Sequence, residues 1–368
     1  MNAKKTTLQT PPTAQAQSVN HSPQNKLLQK LIQSGQFLQL CRANPDEFAQ
    51  PFEFELNNGT QTQVSAAGII SFHPKNCGHL DIVLSCGVHG NETAPIEICD
   101  DYVQQILREE IQLSHRVLFL FANLPSMDIA KRFVEENMNR LFSGAHSQGT
   151  NPQTTEGKRA EQLENAVSDF YNKAPKESER QRYHYDLHTA IRTSKNEKFA
   201  VYPFRHDKPW DKTQLQILLA CGINTILLSG SPTTTFSYFS SKQFDAHAFT
   251  VELGKVMPFG QNDMSRFTRV QLTLKRLMCA EDLELKPYLE SDFHIYKVNQ
   301  IINKQHEDFK LNFADDAPNF SDFAVGDILA EETGRKYVAE FAGEAIVFPN
   351  AEVEIGQRAL LTVIPTSI

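Results

Sequence analysis

The sequence predicts an α/β protein: a mixed, partly parallel sheet flanked by helices, followed by a small C-terminal β domain of barrel or sandwich type. Three observations carry this. Between about residues 66 and 282, apolar strand-like runs alternate with segments of helical spacing, the pattern of a sheet built through helical crossovers. His89, His188 and Glu252 fall at or near the ends of predicted strands, where open α/β sheets place their ligands. Beyond about residue 285, helical spacing gives way to short β segments separated by turn residues.

Taken in order, residues 1–25 are polar and rich in Pro, Gln and Ser. They read as a flexible tail without the apolar block of a secretory signal. Strands are expected at 66–72 and 80–86, the second running into Gly87-Val-His89-Gly90. Residues 94–110 have helical spacing, with Ile96, Cys99, Val103, Ile106 and Leu107 on one face. A strand at 117–122 and an amphipathic helix at 156–173 follow, then a strand at 183–187 that leads into His188. The segment 213–220 is helical, 225–228 and 248–253 are strands, and a long helix covers roughly 263–282. The later β segments lie at 295–301, 328–330, 337–341, 345–348 and 360–364. These patterns divide the chain into the tail, an α/β domain at 26–288 and a β-rich domain at 289–368.

Composition narrows the function. A net charge of −8 disfavours nucleic acid as a partner, because phosphate binding relies on Lys and Arg. It also means that an anionic substrate needs a local basic pocket. The run from Ile217 to Ser229 is broken by Gly222 and Asn224 and is too short to span a bilayer. Six scattered cysteines form no CxxC pair, which argues against a cysteine zinc site or a disulfide framework and favours the cytoplasm. A homo-oligomer is compatible with the sequence.

Ser85-Cys-Gly-Val-His89-Gly-Asn-Glu92-Thr93 offers two metal-ligand types three residues apart just after a strand. Zinc accepts His nitrogen and carboxylate oxygen, and its catalytic sites commonly use three protein ligands with one position left open. His188 is a third candidate, and Asp186 is positioned in sequence to orient its ring. Gly87 and Gly90 allow a tight loop around His89. The same residues have plainer readings. Glu92 suits the positive end of the following helix, and His188 could be a core histidine.

Four separated blocks add a resemblance: His89-Gly-Asn-Glu-Thr-Ala-Pro95, Asn137-Met-Asn-Arg-Leu-Phe142, Asp186-Leu-His-Thr-Ala-Ile-Arg192 and Glu252-Leu-Gly-Lys-Val-Met-Pro-Phe-Gly-Gln-Asn-Asp263. In order and spacing they resemble the succinylglutamate desuccinylase and aspartoacylase branch of the zinc carboxypeptidase-like superfamily, from about residue 45 to the C-terminus. The resemblance implies a zinc-carboxypeptidase-like sheet and one Zn2+ per chain held by His89, Glu92 and His188. Glu252 would be the catalytic carboxylate, Arg132 would polarise the scissile carbonyl, and Asn139 with Arg140 would bind a substrate carboxylate. Asn137 departs from the pattern, standing where an acidic residue or serine is common.

The implied reaction is hydrolysis of N-succinyl-L-glutamate to succinate and L-glutamate, the last step of arginine catabolism by the succinyltransferase pathway. The alternative is deacylation of a related N-acyl amino acid in the manner of an aspartoacylase. The succinylated substrate carries three carboxylates, so Arg192 is a weaker candidate for another of them, with a structural ion pair as its competing role.

Overall fold

The computed structural model describes residues 23–149, 151–176 and 180–368. Most of the expected flexible tail therefore lies outside the described residues, and a helix already begins at Pro23. The chain opens with α1 (Pro23–Ser34) and α2 (Phe37–Ala43), then β1 (Phe52–Glu55), β2 (Gln61–Ala66), β3 (Ile69–His73) and β4 (Leu80–Cys86). Next come α3 (Thr93–Leu107), β5 (Arg116–Phe121), α4 (Leu124–Asp128), α5 (Thr155–Asn172) and β6 (Gln181–Ala190). They are followed by β7 (Phe199–Tyr202), α6 (Lys212–Ala220), β8 (Thr225–Leu228), α7 (Phe236–Phe244), β9 (His247–Lys255) and α8 (Thr268–Cys279). The remainder is β10 (His294–Asn303), β11 (Lys310–Leu311), β12 (Ser321–Phe323), β13 (Ile328–Glu332), β14 (Arg335–Val338), β15 (Glu344–Val347) and β16 (Arg358–Pro365).

One sheet of 13 strands organises the molecule, in the order β1-β2-β3-β5-β4-β6-β9-β7-β8-β10-β16-β15-β12. Its centre is parallel: β4 pairs with β5 and β6, and β6 with β9. Every residue of β4 is buried, because helices cover both faces and strand residues alternate between two cores. Ile82 and Leu84 join α1, α2, α3, α6 and α8 on one face, while Val83 joins α5 and α7 on the other.

One expectation needs correction. The single strand at 66–72 is two strands, β2 and β3, joined by a turn at Ala67-Gly68. Arg180, just before β6, turns inward: its side chain is 6% exposed and its Nε donates to buried Asp81 at 2.8 Å. The expected β-rich C-terminal domain is joined to the main sheet by strand pairing. β10 pairs in parallel with β8, so the catalytic sheet continues through β10 into β16, β15 and β12. β11, β13 and β14 form a separate three-stranded sheet over a core of Phe309, Leu329, Tyr337 and Leu360.

Candidate metal centre

Chemistry-bearing side chains gather at the carboxyl ends of β4, β6 and β9. After Cys86 the chain turns sharply through Gly87 (φ +65°). A Cβ on Gly90 would lie 2.2 Å from the backbone carbon of Ser126, so only glycine lets this loop pack against the start of α4. The loop delivers His89, and Glu92 occupies the position just before α3. Its carboxylate makes no capping bond there but turns to the histidines, setting aside the plain helix-start reading. His188 and Glu252 are cross-strand partners in the β6–β9 register, so the pairing alone brings them side by side.

His89, Glu92 and His188 are buried and present ligand atoms within 4.8 Å of one another. His89 Nδ1 lies 2.8 Å from Glu92 Oε1, and His188 Nδ1 lies 2.8 Å from Glu92 Oε2. The opposite ring nitrogens are held from behind. His89 Nε2 is 2.9 Å from Asn137 Oδ1, and His188 Nε2 is 2.9 Å from Asp186 Oδ2. Asp186 in turn accepts from Ser85 Oγ at 2.6 Å, and Ser85 contacts His184 Nε2 at 2.8 Å. Asp186 was legible in the sequence as an orienting partner. Ser85 and His184 were not, because they approach it from a neighbouring strand and from its own strand only once β4 and β6 pair.

The donor set fits a cation. Asn137 Oδ1 also accepts the backbone N–H of Asn139 at 3.1 Å, which fixes it as an acceptor. A neutral His89 has one N–H and faces acceptors on both sides, Asn137 and Glu92. Donating to Asn137 leaves the Nδ1 lone pair aimed at a carboxylate oxygen, an arrangement that a cation between them relieves. A proton serves poorly, since burial and then Arg132 push His89 down to about 4. Burial would raise Glu92, but the two histidines hold it well below the usual carboxylate range. Burial opposes charge on His188, yet Asp186 and Glu92 raise it well above an ordinary histidine.

Around this cluster stand the other expected residues. Glu252 is buried, and its Oε2 has no hydrogen-bond partner among the described residues. Burial is the main force pushing it up to about 7; repulsion from Glu92 adds to this, against the pull of His188 and Arg132. Arg132 Nη1 donates to Glu92 Oε1 at 2.7 Å with its side chain 32% exposed. Asn139 and Arg140 lie on a short 3-10 turn, Met138–Arg140, whose first N–H groups are capped by Asn137. Asn139 Oδ1 accepts from the Phe236 backbone at 3.4 Å. Arg140 carries no ion pair among the described residues, and burial followed by nearby Arg132 lowers its pKa.

Arg192 is elsewhere engaged. Its Nε donates to Pro349 O at 3.1 Å, and its Nη1 to the carbonyls of Asp315 and Ala317. These contacts tie the segment just after β6 to the C-terminal region, a backbone-anchoring role for Arg192. Sequence spacing could not show this, because the three carbonyls come from residues more than a hundred positions away.

Comparison with known proteins places the chain in a family. Residues 79–278 match the succinylglutamate desuccinylase/aspartoacylase catalytic domain, and residues 291–366 match the AstE/AspA barrel-sandwich hybrid domain. A succinylglutamate desuccinylase of Pseudoalteromonas atlantica is 60% identical over 345 residues, covering 94% of this chain and 98% of the relative. One from Idiomarina loihiensis is 52% identical over 315 residues, covering 86% and 91%. The crystal structure of the succinylglutamate desuccinylase from Chromobacterium violaceum superposes with a TM-score of 0.80 at 38% identity, covering 91% of this chain and 99% of that one.

Proposed function

This chain belongs to the succinylglutamate desuccinylase/aspartoacylase family, and from that premise we propose that it hydrolyses N-succinyl-L-glutamate to succinate and L-glutamate with one zinc ion on His89, Glu92 and His188. The observation that carries the reading is the convergence of three buried ligand groups beside a buried carboxylate, Glu252, whose Oε2 has no partner among the described residues.

Zinc, when bound, supplies Lewis acidity and brings the pKa of water down to about 7. The remaining work falls to the chain's own side chains. Glu252 accepts the proton of the attacking water at its free oxygen and returns it to the departing amine nitrogen of glutamate. A pKa raised towards neutrality suits both halves of that task. Arg132, beside the cluster and still partly exposed, meets the charge that grows on the carbonyl oxygen. Asn139 and Arg140 hold a substrate carboxylate, for which planar guanidinium offers paired donors. His188 is kept in orientation by Asp186 and His89 by Asn137, so neither ring swings during turnover.

Among the described residues no helix is long and apolar enough to cross a membrane. The six cysteines are all free thiols, which fits a reducing compartment, and we place the reaction in the cytoplasm at the end of arginine catabolism. Succinate release from N-succinylglutamate, compared with acetate release from N-acetylaspartate, tests the assignment. A clear kcat/KM preference for the succinyl substrate is expected, and a preference for N-acetylaspartate would move the protein to the aspartoacylase side.

A further inference from the structure

Arg358 opens β16 in the C-terminal region, opposite Asn303 at a break in the β10–β16 register. Its Nε is buried without a hydrogen-bond partner among the described residues. Its guanidinium lies over the Phe348 ring, 5.7 Å from the centroid, and Phe348 packs on Phe199 at 5.6 Å. Phe199 is the cross-strand partner of Glu252. Ring contacts therefore lead from Arg358 to the strand position paired with Glu252. Burial and then repulsion from Arg140 pull Arg358 down to about 9, and no carboxylate figures among the groups acting on either arginine.

Two half-buried arginines that repel each other and have no acid paired with them among the described residues are costly to keep. Such an arrangement marks a site for anions rather than a structural pair. The substrate supplies matching charge. Its three carboxylates are unevenly spaced: the two on glutamate are separated by three carbons, whereas the succinyl carboxylate lies on the far side of the scissile amide. Neighbouring cations are thus best met by the two carboxylates of one glutamate.

We propose that Arg358 is a specificity residue contributed by the C-terminal domain, and that with Arg140 it grips both carboxylates of the glutamate half of the substrate. This rests on the functional reading above and gives the β domain a direct part in recognition. Arg358 does no chemistry. It selects a leaving amine that carries a second negative charge.

The test is steady-state kinetics of the zinc-loaded wild type, Arg358→Ala and Arg358→Met, the last keeping an apolar stem against Phe348. The substrates are N-succinylglutamate, N-succinylglutamine, which lacks the side-chain charge, and N-acetylglutamate, which lacks the succinyl charge. Both variants should raise KM for N-succinylglutamate and N-acetylglutamate by about 10- to 100-fold with kcat little changed, since the contact exists before and during reaction. KM for N-succinylglutamine should hardly move, so the preference for glutamate over glutamine collapses. Melting temperatures should stay level or rise, because an unpaired, half-buried charge has been removed. An equal loss on all three substrates, or a lowered melting temperature with a fall in kcat, would show a structural role and overturn the proposal. A loss spared only on N-acetylglutamate would place Arg358 at the succinyl end and overturn it as well. A wild type inert towards N-succinylglutamate would instead sink the functional reading, and this inference with it.

Discussion

Asn137 holds two things at once, the His89 ring through Oδ1 and the backbone N–H of Asn139. It therefore couples a metal ligand to the turn that carries the substrate-binding pair. Asn137→Ala should weaken zinc affinity by about 10- to 100-fold, read by competition with a chelator, and should raise KM as the turn at Asn139 loosens. Unchanged zinc affinity would remove Asn137 from that role. Glu252→Gln should retain zinc while losing about 10²–10⁴-fold in kcat, because an amide cannot take the proton. A variant with more than half of wild-type turnover would contradict it. Arg132 and Arg140 separate in kinetics: Arg132→Ala should depress kcat more than KM, and Arg140→Ala should do the reverse. Arg132 also helps to hold Glu252 in its ionised form. The base works only when ionised, so the rate rises with pH through its pKa. Removing Arg132 raises that pKa, and the acid limb of kcat/KM should move to higher pH. A limb that stayed in place or moved lower would rule out this electrostatic coupling.

The loop between β5 and α5 presents Arg132, Asn137, Asn139 and Arg140, and it is anchored by one buried carboxylate. Glu156, fully buried in α5, accepts from Val134 N at 2.6 Å, Glu135 N at 3.2 Å and Asn123 Nδ2 at 3.0 Å. Glu156→Ala strands those donors, at about 1–3 kcal/mol for a buried unsatisfied group. Chemical denaturation should show a loss of at least about 2 kcal/mol, together with a fall in kcat/KM; full stability would refute the anchoring. Nothing in local sequence marked Glu156, since it looks like any early acid in an amphipathic helix. The regular elements were easier to read. β4, α3 and β8 lie close to where alternation and helical spacing put them. α7 and β7 went unseen because Phe236–Phe244 and Phe199–Tyr202 bury residues on more than one side, which erases the two-sided pattern. Asp81 with Arg116 and Arg180 escaped for a different reason, since ion pairs across 35 and 99 residues leave no periodic trace.

Across the whole molecule, the catalytic sheet and the β-rich region share one hydrogen-bonded surface through β8 and β10, and Arg192 pins β6 to that region. Arg192→Met should lower stability by about 1–2 kcal/mol through lost hydrogen bonds while leaving KM for N-succinylglutamate nearly unchanged; a large KM effect would instead give it the substrate role. The grouping of His89, Glu92 and His188 was legible in the sequence, weakly from residue types and spacing and specifically through the blocks that carry the family resemblance. The contacts of Arg192 and Arg358 were not, because both depend on how the C-terminal strands return across the sheet. The central claim is that this cluster holds the zinc that hydrolysis requires. It is tested most directly by following succinate release from N-succinylglutamate while zinc is stripped by a chelator and added back against a metal assay. Activity should vanish with the metal and return in proportion to zinc bound, saturating near one ion per chain, whereas full turnover in rigorously metal-free protein would contradict the account.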